Sequence, residues 1–353
     1  MEYVKLEEIC TIISGGTPSR SKSNYWNNGT IPWIKIKDMK SKYIDSAEEF
    51  ITEDGLNNSS AKILKQDTVL YTIFATLGEV GILKIDACTN QAIAGLSLKE
   101  NSNILKEYLY YYLKSKKKDV NNLGRGVAQN NINLSLLRKF KIPVMRLCQQ
   151  KKIIKVLDNA SNTVNIYEKE IVLLDELVKA RFVEMFGEIE DCDKWKSKIW
   201  NEVVTIQNGR DYKKVLVSDG GYPVVGTGGE IARSSGYLCP ENTIVVGRKG
   251  SINNPMLMRE KFWNVDTAFG VIPNSDYLHY QYFYYFCKFY NFMKLNKATT
   301  LPSTTKADLL KIRINIPPLE LQNQFASFVE EIDKSRLLSN HSLFLLKSIT
   351  FNH

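Results

Sequence analysis

The sequence predicts an α+β protein with a pseudo-two-fold internal repeat. Two similar α/β domains are separated by two long helices, which pair as an antiparallel coiled-coil rod. Three observations lead to this fold class. An apolar seam of helical spacing occupies residues 153–178, a weaker copy follows at a constant offset of 172 residues (Ile153 to Phe325), and the segments before the two seams also repeat.

Both copies of the seam place their positions at alternating intervals of four and three residues, the spacing of a helix that packs along another helix. The first copy is Ile153, Leu157, Ala160, Val164, Tyr167, Ile171, Leu174 and Val178. The second is Phe325, Val329, Ile332, Arg336, Ser339, Leu343, Leu346 and Thr350. No proline or glycine interrupts Gln149–Phe186. We therefore expect one helix of about 38 residues, roughly 57 Å long, that ends at Gly187.

The segments before the helices repeat with an offset that falls by sixteen in one place and changes little elsewhere. Glu8–Gly15 is echoed by Glu202–Gly209 at an offset of 194, and Ile31–Ile34 by Tyr222–Val225 at 191. Thr68-Val69-Leu70, which is typical of a strand, is echoed at an offset of 175. The change lies between residues 34 and 68, so we expect a common frame in which one surface segment differs in length.

Chain order predicts how the two helices pair. If the second domain is compact, the second helix begins near the end of the first and can pair with it only by running back, with Val164 and Tyr167 near Arg336 and Ser339. The predicted boundaries are 1–147 for the first domain, 148–187 for the first helix, 188–319 for the second domain and 320–353 for the second helix. The alternative is two unrelated helices, each packed on its own domain.

The composition is typical of a folded soluble protein, with 44% hydrophobic and 24% charged residues in a chain of 353. The formal charge of +9 favours a polyanionic partner, although only modestly. No apolar run is long enough for a membrane span and no signal peptide is recognisable, so we expect a cytoplasmic protein. The six cysteines are widely spaced and there are three histidines, so we expect reduced, packing thiols and no metal site.

The motifs of common enzymes are incomplete. Gly226-Thr227-Gly228-Gly229 lacks the last glycine of a dinucleotide-binding loop, and there is no phosphate-binding loop of the Gly-x-x-x-x-Gly-Lys-Ser/Thr type. Asn254-Pro255-Met256 matches only part of the Asn-Pro-Pro-aromatic motif of amino-methyltransferases. We therefore predict a non-catalytic protein with no catalytic residues and no cofactor of its own.

Clusters of cations, glycines and aromatic residues in loops predict nucleic-acid binding instead. Glycine lets backbone N–H groups approach a phosphate, lysine supplies charge, and arginine can bind guanine through two hydrogen bonds. The candidate residues are Arg20, Lys22, Tyr25, Lys35, Lys37 and Arg125 in the first repeat and Arg210, Lys213, Lys214, Arg233, Arg248 and Lys249 in the second. For each residue taken singly, the alternative is a solvated loop charge. The aromatic stretches Tyr108–Leu113 and Tyr280–Phe286 are interpreted as core.

Together these motifs resemble the specificity (S) subunit of Type I restriction–modification systems. The resemblance rests on Gly15-Gly16-Thr17-Pro18, on Tyr25-Trp26 with Ile31-Pro32-Trp33-Ile34, on Ile314–Gln322, and on the alternation of domain and helix over nearly the whole chain. Met145-Arg146 departs from the pattern, since Pro317-Pro318 stands at the corresponding place.

The resemblance implies a DNA-binding subunit of a restriction system. Each globular domain would be a target recognition domain that reads one half of a bipartite, asymmetric DNA target. The helical rod would set the gap and dock two methyltransferase (M) subunits, which bind S-adenosylmethionine and methylate adenine, and restriction (R) subunits would join them. The alternative is a DNA adenine methyltransferase, or the recognition half of a fused Type II-like restriction/methylation enzyme. Binding of S-adenosylmethionine by the isolated chain distinguishes the two hypotheses.

Overall fold

A computed structural model describes residues 2–124, 132–189, 194–298 and 300–351. The chain forms two compact units: the first unit comprises residues 1–166 and 343–353, and the second unit comprises residues 167–342. This division falls inside the first long helix, not at its ends, so each unit contains part of that helix together with its own sheets. No helix in the described part of the chain is long and apolar enough to cross a membrane.

The first unit alternates short strands with short helices before the long helix begins. Its strands are β1 (Tyr3–Lys5), β2 (Cys10–Ser14), β3 (Ile31–Ile34), β4 (Tyr43–Ile44), β5 (Glu49–Ile51), β6 (Val69–Thr72), β7 (Val80–Leu83), β8 (Cys88–Thr89), β9 (Ile93–Leu98) and β10 (Lys141–Pro143). Its helices are α1 (Leu6–Ile9), α2 (Glu53–Asn57), α3 (Lys106–Ser115), α4 (Lys117–Gly124), α5 (Leu134–Arg138) and the first part of α6 (Leu147–Phe186).

Two sheets and a ribbon make up the first unit. The larger sheet has the strand order β2-β9-β6-β7-β4, a smaller sheet has the order β5-β3-β8, and β1 pairs with β10 in a two-stranded ribbon. Strand β6 is buried along its whole length, as its β-branched and aromatic sequence predicts. Helix α3 buries Tyr108, Leu109 and Tyr111 against the same core, so this aromatic stretch is core, as predicted.

The second unit repeats this order of elements. Its strands are β11 (Ser197–Ile199), β12 (Val204–Asn208), β13 (Leu216–Val217), β14 (Tyr222–Gly226), β15 (Gly229–Ser234), β16 (Thr243–Gly247), β17 (Met256–Met258), β18 (Trp263–Asn264), β19 (Ala268–Pro273) and β20 (Arg313–Asn315). Its helices are α7 (Trp200–Val203), α8 (Tyr280–Phe289), α9 (Lys306–Leu309), the end of α6 and most of α10 (Leu319–Phe351).

The strand orders of the second unit confirm the predicted duplication. The sheet with the order β12-β19-β16-β17 corresponds to the larger sheet of the first unit and is called the large sheet of the second. The sheet with the order β13-β15-β14-β18 corresponds to the smaller one, and β11 pairs with β20. Apart from β4 and β5 in the first unit and β13 and β15 in the second, each strand has a counterpart with the same neighbours in the other unit. The two folds also share their register, because Leu70 pairs with Gly95 and Val245 pairs with Gly270, both at the predicted offset of 175.

An inner strand of each large sheet, β9 or β19, carries a glycine beneath a side chain from a neighbouring segment. A Cβ atom added to Gly95 would lie 2.5 Å from the Leu64 side chain, and one added to Gly270 would lie 2.3 Å from Cys239 Sγ. Both distances are shorter than a van der Waals contact. A larger residue at either position would therefore force the neighbouring side chain to move.

The two units differ where the sequence offset changes. Between β3 and β6 the first unit contains β4, β5 and α2, whereas the second unit has only the return strand β15 between β14 and β16. The ribbons, the other four strands of the large sheet and the helices α1, α3, α5 and α6 have counterparts in the second unit. The variable segment predicted between residues 34 and 68 thus adds β4 to the larger sheet and β5 to the smaller one.

Buried aromatic side chains join the end of α6 to the core of the second unit. Phe182 and Phe186 on α6 contact Phe325 on α10 with ring centroids 5.5 and 5.4 Å apart, and Phe182 stacks on Tyr282 of α8 at 5.6 Å. The predicted seam did not include Phe182 and Phe186, although both are almost fully buried. Such rings bury large areas and add specific edge-to-face contacts.

Within the second unit, α6 and α10 run antiparallel, as predicted. Asp175 binds Arg336 with a 2.7 Å ion pair, and further along α6 Phe186 reaches Phe325, which lies earlier on α10. The predicted register was wrong, because Arg336 was expected beside Val164 and Tyr167. Asp175 lies about two turns further along α6 than Tyr167.

The predicted packing positions of both helices are buried or half-buried. They are Ile153, Leu157, Val164, Ile171, Leu174, Val178, Phe325, Val329, Ile332, Leu343 and Leu346. Ile153 and Leu157 pack against the core of the first unit, whereas Val178, Phe325 and Val329 belong to the core of the second. The seam therefore serves the cores of the two units as well as the pairing of the helices.

A buried glutamine fixes the start of each long helix. Gln150 accepts a hydrogen bond from the Leu105 N–H (2.9 Å) and donates to the carbonyl groups of Asn103 (2.7 Å) and Met145 (2.9 Å). Gln322 accepts from the His279 N–H (2.7 Å) and donates to the carbonyl groups of Tyr277 (2.9 Å) and Pro317 (2.8 Å). This identical arrangement explains why Gln150 and Gln322 correspond in the two repeats.

Substitution of Gln322 by alanine is expected to lower the free energy of unfolding of the second unit by about 1–3 kcal/mol. The reason is that the His279 N–H and two carbonyl groups would be left buried without a partner. Chemical denaturation, combined with hydrogen exchange of the amides in β20 and α8, measures the effect. Gln324→Ala, at an exposed position of the same helix, is the matched control and should change stability by less than about 0.5 kcal/mol. Equal effects of the two substitutions would contradict the role of the buried amide.

Candidate nucleic-acid interface

One edge of the large sheet in each unit collects most of the predicted binding loops. In the first unit the end of β2, the end of β6 and the starts of β7 and β9 meet there, because neighbouring strands are antiparallel. The end of β3 joins them, since the Asn90 N–H donates to the Ile34 carbonyl at 3.2 Å. The corresponding ends of β12, β14, β16, β17 and β19 meet in the second unit. We call this the loop edge of each unit.

The loop edge lies opposite the start of the long helix. The backbone groups that bind Gln150 and Gln322 follow the far ends of β9 and β19, whereas the loop edge lies at the starts of these two strands. Each unit therefore attaches its helix at one end of the sheet and presents polar loops at the other. This separation leaves the loops accessible to a partner.

Glycines hold the first loop of each unit close to the start of β9 or β19. A Cβ atom on Gly15 would lie 2.2 Å from the Asn90 carbonyl oxygen, and one on Gly209 would lie 1.8 Å from the Val265 carbonyl oxygen. Only glycine fits at either place. An indole N–H then binds the next residue along the loop: Trp33 donates to the Gly16 carbonyl at 2.9 Å, and Trp263 donates to the Arg210 carbonyl at 3.0 Å.

In the first unit, the Arg20 guanidinium is held by two rings and a carboxylate. Its central carbon lies 3.6 Å from the ring centroid of Trp26 and 4.9 Å from that of Trp33, within the range of cation–π attraction. Its Nη2 atom donates to Glu49 Oε2 at 2.5 Å. The loop between β2 and β3 and the inserted strand β5 are thereby joined at one charged contact.

The other cations near this contact also pair with carboxylates. Lys35 binds Glu49, and Lys37 binds Glu48. Lys40 also pairs with Glu48, with 3.7 Å between its ammonium nitrogen and the carboxylate. Partial burial raises the pKa of the Glu49 carboxyl, but the hydrogen bonds from Lys35 and Arg20 outweigh it, and the pKa lies below its usual range. The hydrogen bond from Lys37 lowers the pKa of Glu48. Both carboxyl groups are ionised near neutral pH, so the positive charge of this cluster is partly neutralised.

Tyr25 has a different position from the one expected of a DNA contact. Its ring is buried, with 5% of its surface exposed, and its hydroxyl accepts a hydrogen bond from Lys22 at 2.9 Å. Tyr25 thus supports the loop from inside, and Lys22 is the exposed member of the pair.

Within the described residues, the predicted cations at the loop edge of the second unit form no ion pair with a carboxylate. Arg210, Lys213 and Lys214 are exposed on the loop after β12 and form no ion pair within the described residues. Arg248 and Lys249 are exposed at the end of β16, and Arg248 donates to the backbone carbonyl of Asp266 at 3.3 Å. Unlike the paired cations of the first unit, these cations are not neutralised by ion pairs in the part of the chain that the structure describes.

A basic cavity of about 340 Å³ opens beside Arg248 and Lys249. In the described part of the chain its lining contains three cations and no carboxylate: Asn208, Arg248, Lys249, Phe269, Ser303, Thr304, Thr305 and Lys306. Thr304 fixes the adjoining loop by donating from its hydroxyl to the Gly247 carbonyl at 2.8 Å. Hydroxyl groups beside unpaired cations suit a phosphate oxygen.

The first unit has no such basic pair at the equivalent place. Ile73 and Phe74 occupy the positions of Arg248 and Lys249 at the offset of 175, and equivalent backbone bonds join Ile73 to Ala92 and Arg248 to Thr267. At these two equivalent backbone positions, the first unit therefore has apolar side chains and the second unit has cations.

Two predicted residues do not join these clusters. Arg233 lies on β15 near the start of β14, away from the loop edge, and pairs with Glu230 at 2.8 Å. Arg125 lies outside the described residues, so its position stays a prediction.

Sequence reasoning missed several residues of the loop edge. Glu48 and Glu49 were not selected, nor were Trp26 and Trp33 as supports of Arg20, nor Lys306 of the basic cavity. The pairing of Trp33 with Glu49 in β3 and β5 brings the carboxylates to the cations, and it is a tertiary contact. The described residues contain no cluster of three side chains able to ligate a metal.

A comparison with known protein families agrees with the two repeated units of this fold. The profile described as "Type I restriction modification DNA specificity domain" matches residues 1–175 and 192–343, and so covers most of the chain in two copies.

Relatives of known name extend the same comparison. The MjaIX specificity subunit of a Type I restriction enzyme from Methanocaldococcus jannaschii is 24% identical over 98% of this chain and 89% of its own length. The EcoR124I/EcoR124II specificity subunit from Escherichia coli is 32% identical, over 47% of this chain and 42% of its own length. The EcoprrI specificity subunit from Escherichia coli is 20% identical over 94% of this chain.

Solved structures share the fold. The S subunit of a Type I restriction–modification system from M. genitalium aligns with a TM-score of 0.62 and 16% identity over 99% of this chain and 93% of its own. A chain from a structural study of the assembly and conformational transition of the type I R-M system aligns with a TM-score of 0.58 and 16% identity, over 99% and 95% of the two chains.

Acid is expected to destabilise the Arg20–Glu49 contact. Because the pKa of Glu49 is lowered in the folded state, its contribution to stability is complete above the ordinary value of 4.5 and is lost as the pH falls through the lower folded value. Between about pH 5 and about pH 3, the wild-type chain should lose about 0.5–1 kcal/mol more stability than Glu49→Gln. Denaturation midpoints at the two pH values measure this. Glu53→Gln, at an exposed carboxyl group of α2, is the control, and equal pH slopes for wild type and Glu49→Gln would contradict the role of Glu49.

Proposed function

The chain belongs to the family of Type I restriction modification DNA specificity domains, and we propose that it is the DNA sequence-specificity subunit of a Type I restriction–modification enzyme. The observation that carries the proposal is the repeated unit, in which one end of the sheet anchors a long helix and the other presents glycine-rich, cationic loops. The family is that of the DNA-recognition subunit, so the chain is a binding protein and the chemistry belongs to its partners.

Each unit is proposed to read one half of a bipartite, asymmetric DNA target. The proposed target recognition domains are residues 1–147 and 188–319. Their common frame supports reading in the same manner, whereas the different charges of their loop edges support two different sequences. On this view Arg20, Lys22, Lys35 and Lys37 bind the first half-site, Arg210, Lys213, Lys214, Arg248 and Lys249 bind the second, and Tyr25 supports the first indirectly.

The two long helices are proposed to set the gap between the half-sites. The proposed helical segments are residues 148–187 and 320–353, and α6 with its 40 residues is about 60 Å long. Two domains that read the same face of B-DNA lie near a whole number of helical turns apart, each of about 34 Å. A helix pair of this length is long enough to hold them at such a distance.

The same helices are proposed to dock two methyltransferase subunits, with restriction subunits joining the assembly. Large apolar side chains are exposed along both helices, among them Ile166, Leu173 and Leu177 on α6 and Leu337 and Leu338 on α10. Exposed apolar rows of this kind indicate a protein partner. The methyltransferase subunits would bind S-adenosylmethionine and methylate adenine in each half-site. Since the proposed substrate is cellular DNA, we propose the cytoplasm as the place of action.

Exchange of residues 188–319 for those of a relative with another specificity tests the function directly. We expect one half-site to change while the other half-site and the gap stay as they are, because each unit has its own loop edge. Methylation sequencing of DNA from cells that carry the chimera with its methyltransferase reads the target. Preference for the new half-site should exceed that for the old by about tenfold or more. The reciprocal exchange of residues 1–147 is the control, and simultaneous change of both half-sites would refute the assignment.

Insertion of four residues near Asn162 tests the role of the helices. The insert adds about 6 Å of helix, so we expect the gap to lengthen by one or two base pairs at roughly 3.4 Å each, with both half-sites unchanged. The same methylation sequencing measures the gap. Asn162→Ala, at an exposed position of α6, keeps the length and should keep the gap. A changed half-site in the insertion variant would mean that the helices do more than set a distance.

A further inference from the structure

The support beneath Arg20 is itself fixed at several points. Trp26 and Trp33 meet edge to face with their ring centroids 5.0 Å apart. Trp33 is buried and donates to the Gly16 carbonyl, and Trp26 donates to the Ser19 carbonyl at 3.1 Å. Both rings beneath the guanidinium are therefore held by backbone carbonyl groups of the loop segment that precedes Arg20.

Arg20 remains accessible despite these contacts. Just over half of its side-chain surface (53%) is exposed, and only Nη2 binds Glu49. Within the described residues no hydrogen bond engages Nη1 or Nε, and Nη2 has a second hydrogen, so a planar set of donors remains free for a partner. Stacking on Trp26 fixes the plane of this set, and the Glu49 contact fixes its rotation within the plane.

A fixed plane matters for one kind of DNA contact. A phosphate oxygen accepts hydrogen bonds from many directions, and a mobile cation serves it well. Guanine instead presents O6 and N7 in the plane of the base, and a planar arginine binds both at once. Holding a guanidinium in one plane beforehand therefore favours base reading, because less side-chain freedom is lost on binding.

The charge of Glu49 points in the same direction. A carboxylate at this edge repels the phosphates of DNA, so Glu49 lowers the general affinity of the first unit. It receives Lys35 on Oε1 and Arg20 on Oε2, and it holds both side chains in place. The cations of the second unit at its own loop edge have no such partner within the described residues. The first unit thus combines weaker phosphate attraction with a more strongly oriented arginine.

On these observations we propose that Arg20 is a specificity-determining residue that reads a guanine in the half-site of the first unit, and that Glu49 is its positioning residue. The inference rests on the proposed function and assigns a role within it. Lys37 is exposed, and within the described residues its ion pair is with the exposed Glu48, so its ammonium group has no fixed plane and serves as the matched phosphate contact.

The test uses the full chain in complex with its methyltransferase subunits on a DNA library that is randomised in both half-sites. Methylation of each sequence gives the base preference at every position. Arg20→Lys is expected to lose roughly 10- to 100-fold of the preference for guanine at one position of one half-site, and to leave all others unchanged. Glu49→Gln should lose part of the preference at the same position while binding to unrelated DNA stays equal or rises. Lys37→Ala should weaken binding to all sequences evenly.

The outcomes separate the two levels of the proposal. If the wild-type complex shows no sequence preference, both the proposed function and this inference fail. If the wild type is specific and Arg20→Lys keeps the guanine preference while affinity falls evenly, Arg20 is a phosphate contact and only this inference fails. If Glu49→Gln leaves the preference intact, its positioning role fails. Arg20→Lys keeps the charge, and a thermal unfolding curve of each variant checks the fold.

Discussion

In each unit a buried glutamine side chain binds three backbone groups. It thereby joins the first turn of a long helix to the loop that follows β9 or β19. Gln150 and Gln322 use the same three kinds of contact, and Tyr108 and Tyr282 add a hydroxyl bond to the carbonyl groups of Pro143 and Asn315 beside them. The direction in which each helix leaves its sheet depends on these hydrogen bonds. Because the site is buried, water molecules cannot replace them. The loops at the opposite end of the same sheet are therefore placed relative to the helix.

The sequence alone predicted the features that depend on local periodicity. Both long helices, the aromatic core helices and the offsets between corresponding strands follow from spacing along the chain, and the structure has them. The register of the helix pair was wrong, because a seam shows which face packs but not how far two antiparallel helices slide along each other. For that reason Arg336 pairs with Asp175 and does not lie beside Tyr167, the position that the sequence predicted. Glu49 was missed because strand pairing, not sequence distance, brings it to Arg20.

The charges at the two loop edges show how one backbone frame supports different recognition. Ile73 and Phe74 in the first unit stand where Arg248 and Lys249 stand in the second, and the insertion between β3 and β6 brings carboxylates to the first unit only. A duplicated fold can thus change its electrostatic surface while its sheets, ribbons and helix contacts stay the same. This is the arrangement that a protein with two unlike binding sites on one scaffold requires.

The glycines beneath Leu64 and Cys239 have a mechanical consequence. Each of these side chains lies between the smaller sheet and strand β9 or β19 of the larger one, and the glycine lets it pack directly on the backbone of that strand. Two layers in such close contact resist sliding, because any shift drives the side chain into the backbone of the strand. Recognition of a base edge requires donors placed to within about 0.5 Å. The stiffness of the sheet that carries Trp33 or Trp263 thus depends on one glycine in each unit, Gly95 or Gly270, which lacks a Cβ atom.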